Sequence, residues 1–158
     1  MTGHKTSRGR LWLWMPVFLA GGGIVVSAYL SVKRFTGGGL ACTRWAQCDV
    51  VNSSPYAKIA GVPVAFIGLA GYLLLFGLAV AGLQAGGVRR RQVLLATFVL
   101  SVGGVLFSIY LTYLEIYVIE ALCSWCVASA IIILLLAVVG GLNLGSGSSG
   151  RPPGHSRP

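Results

Sequence analysis

Four runs of the chain, residues 11–31, 62–83, 93–114 and 121–142, contain no Lys, Arg, Asp or Glu. Each is about 20 residues long, the length of helix that crosses the apolar core of a bilayer. A backbone in lipid finds no water to bond, so it must satisfy its own amides, and a helix does this within one segment. The chain is therefore read as an all-α integral membrane protein, a bundle of four transmembrane helices. Composition supports this reading. Charged residues make up 9% and hydrophobic ones 56%, whereas a soluble domain carries about 25% charged residues. The 23 glycines follow no third-residue period, which excludes collagen. A mean hydropathy of +0.83 excludes an intrinsically disordered chain.

The runs divide the sequence into a basic N-terminus (1–10), a membrane domain (11–142) and a tail (143–158) expected to be disordered, because from Gly145 it reads GSGSSGRPPGHSRP. Residues 32–61 form one long connection, 84–92 a short basic turn (QAGGVRRRQ) and 115–120 a second short turn (EIYVIE). Lys and Arg concentrate on the cytoplasmic side of membrane proteins. With the N-terminus inside, that side holds Lys5, Arg8, Arg10, Arg89, Arg90, Arg91, Arg151 and Arg157, eight against the four of Lys33, Arg34, Arg44 and Lys58. The expectation is a multi-pass protein of the cytoplasmic (inner) membrane with both termini inside. The net charge of +9 then reads as topology and lipid contact rather than nucleic-acid binding. The first run exceeds the usual 7–15-residue core of a signal peptide, and no small-x-small cleavage site follows it, so it is read as a retained helix. Small residues four apart, Gly23 with Ser27, Gly77 with Ala81 and Gly104 with Ser108, imply close helix packing.

The four cysteines carry the chemistry. Cys42 and Cys48 lie in the long connection, in ACTRWAQC, and Cys123 and Cys126 form C-S-W-C at the start of the fourth run. The topology puts all four at the outer face, where disulfides persist. Residues three apart share one helix face. The first thiol of the C-x-x-C sits at a helix N-terminus, where free amides and the macrodipole favour a thiolate. Both pairs close so little chain that loop entropy gives them little stabilising value, which points to thiol–disulfide exchange. Arg44, between the loop cysteines, would favour a thiolate there. Two structural disulfides or a four-cysteine zinc site are the alternatives; the x5 and x2 spacings at a membrane mouth are unusual for zinc. Covalent haem needs C-x-x-C-H, and Val127 follows instead.

Cys42, Cys48, Ser54, the segment GVPVAFIGLAGY (61–72) and the pair Cys123 and Cys126, in this order, resemble the bacterial form of the vitamin K epoxide reductase family over residues 11–142. In the other quinone-linked envelope thiol oxidase, of the Dsb type, the C-x-x-C follows the first span rather than opening the fourth. The resemblance implies a bundle holding a quinone (menaquinone, ubiquinone or phylloquinone type) near its outer mouth. Cys126 would pass electrons to the quinone and Cys123 would exchange with a loop cysteine. Cys42–Cys48 would take electrons from an extracytoplasmic thioredoxin-fold thiol oxidase. Many bacterial members carry that domain fused after a fifth helix; here it is expected as a separate protein. Ser54 matches the family's hydroxyl near the quinone, although a turn or cap role in N-S-S-P is as natural. Trp125 is read as a cover for the disulfide or an interface anchor. Phe66, Tyr72, Phe107 and Tyr110 are read as packing. The resemblance leans to Cys42 as the residue that bonds Cys123, with Cys48 resolving that bond.

The expected function is a quinone-dependent thiol oxidoreductase that makes disulfides, with net reaction dithiol plus quinone to disulfide plus quinol. In one alternative, vitamin K epoxide or quinone reduction supplies the useful product. In another, the chain is a non-enzymatic membrane scaffold with structural disulfides.

Overall fold

The computed structural model describes residues 4–44 and 46–148. Among them, four helices are long and apolar enough to cross a membrane. They are α1 (His4–Thr36), α3 (Val64–Gln84), α4 (Gly87–Tyr117) and α5 (Ser124–Ser148). Each packs against two others: α1 against α3 and α5, and α4 against the same two. The result is a four-helix ring in which α1 and α4 lie diagonally opposite.

The helices outrun the apolar stretches that predict them. Residues 87–92, expected in a basic turn, begin α4, and residues 115–117 end it. Residues 32–36 belong to α1. Residues 143–148, expected in a disordered tail, continue α5; residues 149–158 lie outside the described part. Hydropathy marks where a helix touches lipid. Propagation adds one hydrogen bond per residue and carries the helix on until the backbone breaks. The breaks are local: Gly37 after α1 and Glu120 after α4 have φ of 62° and 54°, outside the helical region.

The long connection is compact. It contains α2 (Cys48–Ser53), a 3-10 turn (Pro55–Ala57) and a two-stranded hairpin, β1 (Lys58–Ile59) with β2 (Val62–Pro63). Lys58 pairs with Pro63 and Ile59 with Val62. The two-residue turn between them, Ala60–Gly61, has φ of 50° and 83°, the left-handed pair that matches strand twist in tight hairpins.

Two buried clusters hold the bundle. Ala20, Tyr72, Leu75, Ile133 and Leu136 fill its middle. Cys48, Val51, Ala121 and Cys123 close one end. Close approach depends on two glycines. A Cβ on Gly23 would overlap the Tyr72 ring, and one on Gly104 would fall 2.7 Å from Ile133 Cγ1. Gly77 does not serve this purpose: nothing lies within 4 Å of its Cβ position. Its pair with Ala81 faces outward, whereas Ser27 and Ser108 turn into the bundle.

Candidate active site

The connection is tied down over the end of the bundle by its own backbone. The Ala41 amide donates to the Tyr29 hydroxyl (3.1 Å), and the Trp125 indole Nε1 donates to the Ala41 carbonyl (2.8 Å). The rings of Tyr29 and Trp125 lie 4.9 Å apart. Trp125 therefore fastens the residue before Cys42 to α5. Further along, the Gln47 amide donates to the Leu122 carbonyl (2.9 Å), and the Asp49 carboxylate accepts from the Leu40 amide (2.8 Å).

These ties bring the two cysteine pairs together. Cys42 and Cys48 form a disulfide, with Cα atoms 6.3 Å apart. Cys123 and Cys126 are free thiols. Cys48 is 1% exposed and shares its buried cluster with Cys123, which is 0% exposed; Cys42 and Cys126 pack against the same cluster. Cys48 Sγ lies 3.6 Å from the Ser124 hydroxyl, next in sequence to Cys123. Cys42 is only half-buried, and Arg44 is exposed.

Cys123 directly precedes α5, and its sulfur caps that helix by accepting the Cys126 amide at 3.3 Å. Polar caps at this position usually use an oxygen to satisfy the same orphan amide. Hydrogen bonding from the Cys126 side chain, helped by the Cys126 and Trp125 amides, holds the Cys123 thiol below its ordinary value. Burial and the Glu115 charge oppose this without reversing it.

Beneath the pairs is a cavity of about 350 Å3, walled by all four spanning helices and by α2. Small-molecule sites commonly measure about 300–1,000 Å3, with apolar walls and a few polar groups. This one is lined mostly by apolar side chains, and Cys126 forms part of its wall. Its size and walls suit a flat, mostly apolar small molecule. Besides Tyr72, Glu115 and Ser129, the wall carries the polar side chains of Ser27, Asn52, Tyr56, Ser108 and Thr112.

Tyr72 and Phe107 line the cavity, whereas Phe66 packs edge-on against Phe35 at 5.3 Å and Tyr110 is exposed. Ser54 is buried, but its hydroxyl accepts the Tyr56 amide (3.0 Å) as the cap of the 3-10 turn. The cavity wall runs through Asn52 and Tyr56 without it. Two wall residues escape sequence reasoning. Asn52 is hidden in the turn-like N-S-S-P. Glu115 reads as turn punctuation, yet it sits in the last turn of α4, 4% exposed. Its Oε2 accepts the Cys123 amide at 3.1 Å, and its carboxyl faces the Cys126 thiol. The available signal was an acid directly at the end of an apolar span, where ionisable groups carry a high energetic cost.

The chain matches the family model described as the vitamin K epoxide reductase family over residues 14–140. The match covers the first three spans, most of the fourth and all four cysteines. This chain of four spans, a loop disulfide and a C-x-x-C against an apolar chamber belongs to the vitamin K epoxide reductase family, and is a membrane oxidoreductase of the thiol–quinone type.

Proposed function

We propose that the protein makes disulfides by moving two electrons from a thioredoxin-fold dithiol outside the cytoplasm to a membrane quinone. One observation carries this reading: the loop disulfide and the C-x-x-C share one buried cluster, and Cys126 extends from it into the cavity wall. The partner's thiolate attacks the half-buried Cys42–Cys48 disulfide and leaves oxidised, with the loop pair reduced. The loop pair then reduces an oxidised Cys123–Cys126 bond through a mixed disulfide, because a thiolate attacks one sulfur at a time. Burial of Cys48 beside Ser124 supports Cys48 as the residue that bonds Cys123. This reverses the lean towards Cys42, whose exposure suits the partner instead. The quinone supplies the electron sink. The chain supplies a dry chamber, a sulfur at its wall and a capped, thiolate-favouring neighbour.

The test is quinol formation by purified protein. Cys126→Ala should abolish it with every donor. Cys42→Ala and Cys48→Ala should abolish it with a thioredoxin-fold donor and keep it with a small permeant dithiol that reaches Cys123. If the small dithiol restores Cys126→Ala as well as the loop variants, the electron path is wrong. Among single variants, Cys42→Ser should trap a bond between Cys48 and Cys123, visible as two linked fragments after cleavage between residues 84 and 87. Linkage in Cys48→Ser alone would restore the opposite assignment.

A further inference from the structure

The net reaction moves two protons as well as two electrons, and one buried acid stands beside the C-x-x-C. Glu115 reaches the cysteine-bearing end of the cavity from α4, which packs against α5, the helix that carries Cys126. The Cys123 amide fixes one carboxyl oxygen (3.1 Å), and the group faces the Cys126 thiol. The other titratable side chains on the cavity wall are Tyr56 and Tyr72, and none of the described residues lining it is cationic. Tyr72 is turned away to Ser129, with its hydroxyl donating to the carbonyl oxygen (2.9 Å). No positive charge on that wall offsets a carboxylate there, which leaves the Cys123 amide and the thiol as its partners.

Anchoring one amide does not require an acid, since a neutral amide oxygen would serve. A carboxylate and a thiolate that share one end of an apolar cavity also repel in a medium of low dielectric. The arrangement that avoids this repulsion keeps one proton between the two groups. A thiolate on Cys126 then comes with a protonated Glu115.

We propose that Glu115 is the proton acceptor for Cys126 and returns that proton to the reduced quinone oxygen; this rests on the function proposed above. The Cys126 S–H bond breaks and its proton moves to a Glu115 carboxyl oxygen. Cys126 sulfur bonds a ring carbon of the quinone, and Glu115 releases its proton to the nearer ring oxygen. As that S–C bond breaks and its electron pair stays on the ring, Cys123 attacks Cys126 and forms the S–S bond. Its own proton passes by the same, again ionised, carboxylate to the second ring oxygen. Two thiols are oxidised, one quinone is reduced to a quinol, and Glu115 ends as it began.

The experiment compares Glu115→Gln and Glu115→Asp in full-length purified protein, with a short-chain benzoquinone as acceptor and dithiothreitol as donor. Gln keeps the length and an acceptor for the Cys123 amide but cannot take a proton. Asp is too short for the amide but can. Proton transfer predicts that Gln loses about 10²–10⁴-fold of the rate, the range for general acid–base catalysis, and that Asp stays above Gln. Gln equal to or above Asp would reduce Glu115 to a positioning residue and overturn the proposal. A second reading needs no variant. In time-resolved infrared difference spectra of the wild-type protein during a single turnover, loss of the Cys126 S–H stretch should bring up the C=O stretch of a protonated carboxyl, which decays as quinol forms. S–H loss without that band overturns the proposal. If the wild-type protein forms no quinol, the function above fails by itself, and the alkylation rate of Cys126 at neutral pH, lower in Glu115→Gln than in Glu115→Asp if the acid takes the thiol proton and equal or higher if it does not, still decides Glu115.

Discussion

Cys123 combines two roles usually given to different residues. Its sulfur is the helix cap, and in the relay proposed above its thiol is the one that exchanges. A group whose value is lower in the folded protein stabilises the fold at pH above its ordinary value. That contribution is lost as the pH falls through the lowered one. For Cys123 the same shift keeps more thiolate at neutral pH than an ordinary cysteine with a value of about 8.5 holds. Because the Cys126 side chain is the main cause, Cys126→Ala should raise the pH at which Cys123 reacts with a small permeant alkylating reagent. An unchanged profile would assign the shift to the helix end alone. Cysteine spacing made the Cys42–Cys48 pair legible in the sequence. It could not reveal Glu115, because hydropathy treats a carboxylate beside an apolar run as the end of the run. Nor could it separate the two readings of Ser54, since a cap and a ligand ask for the same hydroxyl.

At the scale of elements, the sequence showed the number of helices and hid their ends. Charge-free runs report contact with lipid, whereas the cysteine-bearing end depends on helix turns beyond that contact: the last turn of α4 carries Glu115. Small-residue pairs were similarly half-informative. Gly23 and Gly104 meet neighbouring side chains, while Gly77 meets nothing, because spacing of four gives a face but not what the face meets. Overpacking a fitted interior costs about 1–3 kcal/mol. Gly104→Ala should therefore lower the thermal midpoint of the protein in detergent, and Gly77→Ala should leave it within error. Equal effects at the two positions would mean that helix propensity rather than packing decides them.

For the whole molecule, orientation decides which compartment the chemistry serves. All four cysteines gather at one end of the bundle, and Arg89, Arg90 and Arg91 stand at the start of α4, just past the two-residue link from α3. A positive cluster so close to the spans favours the cytoplasmic side. Reporters active only outside the cytoplasm should be silent when fused after Gly86 or after Ser148, and active when fused after Gly39. Activity at either of the first two sites would turn the bundle over and put the thiols in a reducing compartment.

Tyr72 spans the bundle like a strut. Its ring rests on the bare backbone of Gly23, its hydroxyl is held by Ser129, and its flank is part of the chamber wall. The room left for a ring is thus governed from behind, by an α1 residue outside the lining. A larger side chain at position 23 would push the strut inward and narrow the chamber while leaving every sulfur untouched. Tolerance for bulky or slender quinones, and for inhibitors that mimic them, can therefore drift through residues a map of contacts would never mark.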